Sequence, residues 1–136
     1  MDFSTSMKVA AAGLKAQSDR MKTIAENIAN ANSAASTADG EPYRRKIATV
    51  ISSFDRELDA EIVKSGKPAA DMSDFRTQYD PGNPLADKQG YVKLPNVNSL
   101  IEIMDMREAQ RSYEADLTVI DATKTMLSRT VDLLKK

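Results

Sequence analysis

The sequence predicts a mainly α protein with a small β region: long N- and C-terminal helices packed as an α-helical coiled coil, with short β-strands or a hairpin between them. Three observations predict it. Near the N-terminus Met7, Leu14, Met21 and Ile28 recur every seven residues, and at the C-terminus Met106, Tyr113, Ile120, Leu127 and Leu134 do the same. Between these stretches Gly40, Pro42, Gly66, Pro68, Pro81, Gly82, Pro84, Gly90 and Pro95 punctuate the chain too often for any long helix.

The first repeat reads as an amphipathic helix because a seven-residue apolar period keeps one face turned toward a partner. Ile24, with Ala10, Ala25 and Ala31, widens that seam. Asp2 or Ser4 to Ser6 supplies the cap, since a short polar side chain can accept from the free N–H groups of the first turn. The pattern stops at Asn30, Ala31 and Asn32, where amide side chains compete for backbone groups and tolerate left-handed geometry. The second repeat starts after Asn98 and Ser99, and Ser99 with Glu102 fits a capping box. Ile103, Leu117 and Val131 flank its stripe, and no Gly or Pro interrupts it, which allows a rod of about 54 Å.

In the middle, residues 43–54 (YRRKIATVISSF) are rich in β-branched side chains, and residues 75–79 and 91–94 are short extended candidates. Residues 55–64 fit either an extension of the first strand or a helical turn, because their periodicity favours neither. The resulting organisation is a helix over 1–33, a loop and small β-rich region over 34–97, and a helix over 98–136.

Composition excludes most chemistry. A net charge of −1, from 19 basic and 20 acidic residues, supplies no field to hold nucleic acid or an anionic membrane surface. The chain has no His and no Cys, so the usual general base, thiolate nucleophile and zinc ligands are missing. Asp55, Glu57, Asp59 and Glu61 have the alternate spacing of a calcium loop, but Ala60 stands at the turn Gly and Gly66 at the closing Glu. They read as a solvated acidic stretch. Neither a catalytic site, nor a cofactor, nor a metal is expected. No apolar run reaches the roughly 20 residues of a membrane span, and no cleavable signal is expected at the N-terminus.

With 5% aromatic residues and no Trp, the chain predicts a thin, aliphatic and Met-rich core. Two long stripes and so little else to cover them point to burial between chains. The candidate interface is therefore the two seams, Met7, Leu14, Met21, Ile24 and Ile28 on one helix and Met106, Tyr113, Leu117, Ile120, Leu127, Val131 and Leu134 on the other. Asn27, Asn30 and Asn32 form a helix-end motif whose arrangement burial alone does not explain.

That motif carries a resemblance. The run AENIANANS, residues 25–33, resembles the Asn-x-Ala-Asn element of bacterial flagellar axial proteins, the rod and hook family. The tract DGEPYRRK, residues 39–46, and the stretch YDPGNPLADKQGYVKLPNVNSLIEIMDMREAQRSYEAD, residues 79–116, are similar to the proximal rod members of that family. Asn83 stands where relatives commonly carry His, and Ser33 where many carry Thr; turn and helix-stop chemistry survive both changes. Residues 55–71 lie outside the likeness.

The resemblance implies a non-catalytic subunit of the basal-body rod, the drive shaft that crosses the periplasm and passes torque to hook and filament. Its implied partners are itself, other proximal and distal rod subunits, the adaptor between export gate and MS ring, and the flagellar type III export apparatus, which delivers it without signal cleavage. No nucleic-acid partner and no membrane insertion are implied. The residues by themselves leave open a soluble helical adaptor or chaperone that holds a partner helix in a groove, and an enzyme working with carboxylates alone.

Overall fold

The computed structural model describes residues 2–136. Helix α1 runs from Phe3 to Ala29 and helix α2 from Ser99 to Leu134, 27 and 36 residues long. Between them lie six short strands, β1 (Lys46–Ile47), β2 (Val50–Asp55), β3 (Ala60–Ser65), β4 (Ala69–Ala70), β5 (Arg76–Tyr79) and β6 (Tyr91–Leu94). They pair as three antiparallel two-stranded ribbons, β1 with β4, β2 with β3 and β5 with β6. The fold is mainly helical, with small antiparallel hairpins.

Asp2 caps α1: its Oδ1 accepts from the Thr5 N–H at 2.6 Å. The N-terminus of α2 departs from the capping box. Asn98 is the cap, its Oδ1 accepting from the Leu100 N–H at 3.1 Å, and Ser99 is already the first helical residue. Glu102 is not turned back toward the helix start, because it is fully buried and its carboxylate is held by an arginine and an asparagine from elsewhere in the chain.

The chain forms two compact units. One contains the start of α1 through Met21, Thr49–Lys67 and Arg107–Lys136. Here α1 and α2 run antiparallel, with Arg20 paired to Glu108 at 3.6 Å and Gly13 set against Asp116. Small side chains permit this approach: Ala10, Ala16 and Ala109 are buried, joined by Ala60 and Ile62 from β3. Ser65 donates a hydrogen bond to Asp19 and fixes the end of β3 on α1. The core is thin and aliphatic, as the composition predicts, but it is made of alanine; no methionine is buried among the described residues.

The open segment 55–64 belongs to this unit and is neither of the two forms considered. It closes a hairpin, β2 pairing with β3 from Val50↔Ser65 to Asp55↔Ala60. Asp55 Oδ1 accepts from the N–H groups of Glu57 and Leu58 at 2.9 and 3.3 Å, and Asp59 adopts φ 47° to complete the turn. The expected single extended stretch from Tyr43 to Phe54 is likewise divided, into β1 and β2 with different partners.

The second unit contains Lys22–Ala48 and Pro68–Met106. Its core is Ile24, Ala31, Val92, Pro95 and Val97, together with buried Asn27 and Glu102. The β5–β6 hairpin is closed by Tyr79 against Tyr91, ring centroids 5.2 Å apart and edge to face.

Candidate functional site

Two features stand out: a polar knot where α1 ends, and the apolar stripe of α2. The knot centres on Asn27, 1% exposed. Its Nδ2 donates to the Lys46 carbonyl at 2.8 Å and to Glu102 Oε2 at 3.2 Å. Its Oδ1 accepts from the Lys46 N–H at 2.9 Å and from the Tyr43 hydroxyl at 2.8 Å. A carboxamide has two donors and two acceptor lone pairs, and here all four are used. Toward Lys46 the side chain behaves as a strand would, meeting both backbone groups of one residue.

Glu102 is fully buried, and Arg45 pairs with its carboxylate through Nε. Arg45 also pairs with Asp71 at 3.3 Å and Asp105 at 3.7 Å. Burial pulls the Arg45 guanidinium down, but Glu102 and Asp71 outweigh it and hold the group above its ordinary value. Asp71 is lowered, first by the Ser73 N–H and hydroxyl and then by Arg45. Asn96 extends the network: its Oδ1 accepts from the Arg45 N–H at 2.8 Å and its Nδ2 donates to the Asp71 carbonyl at 3.0 Å. Arg44 lies over the Phe75 ring at 4.2 Å and donates to the Asp71 carbonyl at 3.0 Å. The tract YRRK thus spends each of its residues on holding the end of α1, the β1–β4 ribbon and the start of α2 in one place.

Of the other asparagines in the motif, Asn30 winds down the helix, its Nδ2 donating to the Glu26 carbonyl at 2.8 Å and its Oδ1 accepting from Ser33 at 3.1 Å. Asn32 is exposed. Glu102, which the sequence marks only as a capping residue, and Arg45 were not among its site residues; their partners lie too far along the chain for any spacing to join them.

On α1, Ile24 is buried and Met7, Leu14, Met21 and Ile28 are half-buried. On α2, Met106, Tyr113 and Ile120 are half-buried, whereas Leu117, Leu127, Val131 and Leu134 are exposed, Leu134 by 82%. The residues of α2 that do turn inward are Glu102, Ala109, Asp116 and Thr123, also seven apart but small or polar. From Lys124 onward every residue of the helix is exposed. Among the described residues no group of His, Cys, Asp or Glu is placed to hold a metal ion.

Sequence comparison gives these features a context. The family described as "Flagella basal body rod protein" matches residues 7–34, and "Flagellar basal body rod FlgEFG protein C-terminal" matches residues 88–133. The chain is 51% identical to the flagellar basal-body rod protein FlgC of Agrobacterium fabrum, over 98% of this chain and 96% of that one. The chain belongs to the FlgC family. It is also 37% identical to FlgC of Aquifex aeolicus, over 99% of both chains, and 39% identical to FlgC of Bacillus subtilis, over 96% of this chain and 97% of the other. As a member of the FlgC family it is a structural subunit of the flagellar basal-body rod, and it assembles with other rod proteins. The two matched regions contain α1 from Met7 with its asparagine motif, and almost all of α2, so the rod-family matches fall on the helices.

Proposed function

We propose that the two helical segments, 1–33 and 98–136, pack with those of neighbouring subunits as an α-helical coiled coil that forms the inner tube of the rod. The β-rich region, 34–97, lies outside and meets adjacent subunits there. The single observation that supports this most is the bare stripe of α2: Leu117, Leu127, Val131 and Leu134 lie exposed on a helix whose inward face carries small and polar residues. An apolar stripe of this length is unfavourable in water, and removing it from water is the dominant force of association. A drive shaft resists twisting when shear is spread over many such contacts, so the stripes carry torque and no catalysis is involved.

In this reading the subunit sits in the rod within the periplasm. Its neighbours are copies of itself, other proximal and distal rod subunits and the adaptor between export gate and MS ring, and it arrives through the type III export apparatus without signal cleavage. No helix of the described residues is long and apolar enough to cross a membrane. Swimming of a strain carrying single variants tests the reading. Tyr113→Asp, which puts a carboxylate into the desolvated seam, abolishes swimming, while Lys93→Ala at an exposed position of β6 leaves it intact. Equal swimming of the two would contradict the assignment of the seam.

A further inference from the structure

The β2–β3 hairpin is a ribbon with an unmatched edge. The Gly66 N–H donates to the Thr49 carbonyl at 2.9 Å, and the register that follows sets Val50 against Ser65 and Asp55 against Ala60. Opposed residues of an antiparallel pair exchange hydrogen bonds at alternate positions, so Ile51, Ser53 and Asp55 direct their backbone groups to β3. Val50, Ser52 and Phe54 point theirs the other way, where no strand among the described residues pairs with them.

Open edges are normally guarded by a charge, a proline or a bulge, because they are templates for another chain. From Val50 to Phe54 β2 has none of these: the run VISSF is uncharged and its register is unbroken. Its side chains are uncovered too. Ala60 and Ile62 of β3 are buried, but Ile51, on the same face of the ribbon, is exposed by 50%, and on the other face Val50 and Phe54 are also exposed. The outer strand is therefore bare on both faces and along its edge.

This strand matches itself. Laid antiparallel about Ser52, two copies set Val50 against Phe54, Ser52 against Ser52 and Phe54 against Val50, and these are the residues whose N–H and C=O groups point outward. Each of those groups then gains a partner. An aromatic side chain meets a β-branched one on either side of the centre, and no charge meets its like. The other strands fit the edge less well: β1 and β4 have two residues each, β3 carries Glu61 and Lys64, β5 carries Arg76 and β6 carries Lys93.

We propose that free copies of this chain pair through β2 about a two-fold axis at Ser52, joining two hairpins into one antiparallel sheet. A two-fold pair closes on itself, whereas a rod grows by contacts that repeat in one direction. The pair therefore belongs to the chain before assembly and separates as a copy is built in.

Sedimentation equilibrium of the purified full chain tests it. The expected mass is that of a dimer at high concentration, falling to that of a monomer on dilution. Ser52→Lys and Ser52→Asp each set like charges face to face across the axis and weaken the dimer by about fivefold or more, while an equimolar mixture of the two variants regains it. Ser52 is exposed and its backbone faces away from β3, so both variants keep the fold. A native chain that stays monomeric overturns the proposal, as does a mixture no tighter than either variant alone. Undiminished association of Ser52→Lys also overturns it and assigns self-association to the stripe of α2. Disulfide trapping adds a second readout, since the chain has no cysteine. Ser52→Cys gives a linked dimer on mild oxidation, because the opposed Cα atoms lie about 5.5 Å apart, whereas Val50→Cys, about 14 Å from its own copy, does not. Equal linkage at the two positions contradicts the register. All of these measurements use the isolated chain, so their failure leaves the rod reading of the helices standing.

Discussion

Asn27 does with one side chain what an adjoining strand does with a peptide group, and the chain depends on it at the point where α1 gives way to β1. Asn27→Ala leaves the Tyr43 hydroxyl and the Lys46 backbone without these partners and takes a donor from buried Glu102. Water reaches exposed Lys46 and offsets part of the loss, so the expected destabilisation is about 2 kcal/mol, read from urea unfolding of the isolated chain. Asp116 behaves in the opposite sense. Its folded pKa is raised by burial, so its contribution to stability is complete below the ordinary value of 3.8 and is lost as pH rises through the folded one. Asp116→Asn therefore leaves the isolated chain as stable or more stable at pH 7 and removes this decline above pH 3.8. Urea unfolding on either side of that window checks both parts. Asn27 was visible in the sequence because three asparagines at a helix end need a reason. Glu102 and Arg45 were not, since a pair separated by 57 positions leaves no periodic trace, and Glu102 instead imitated a capping residue.

The elements divide in the same way. Both helices were legible to within a few residues because their heptads run long and their ends carry Asp2, Asn98 and the asparagine tract. The β2–β3 hairpin was not. Its turn, Arg56 to Asp59, contains no Gly or Pro, and the left-handed position falls to an aspartate that also resembles a cation ligand. The β5–β6 hairpin advertises itself through Gly90, which has φ +88° and whose added Cβ would lie 2.9 Å from Tyr79 Cε2 and 3.1 Å from Pro81 Cβ. Backbone strain and ring contact act together there, so Gly90→Ala costs about 2 kcal/mol, measured as a lower urea midpoint with unchanged helical circular dichroism. An unchanged midpoint would show that the hairpin relaxes around the methyl group.

At the scale of the whole molecule, the sequence marked the large apolar heptad of α2, whereas the face buried within the chain is the neighbouring heptad of Glu102, Ala109, Asp116 and Thr123. Small residues let α1 approach, and large ones such as Leu117, Leu127, Val131 and Leu134 are left exposed. A single sequence carries both patterns, and hydrophobicity alone does not say which is satisfied at home and which awaits another subunit. A rod subunit needs the second kind, because a chain that buried every stripe by itself would have nothing with which to polymerise. The most direct test is hydrogen exchange of the backbone amides from Lys124 to Leu134, compared between the isolated chain and intact basal bodies. All residues of that segment are exposed, so its amides exchange rapidly in the isolated chain and slow by about a hundredfold or more in the assembled rod. Equal exchange in the two states would contradict the claim that neighbouring subunits complete this helix.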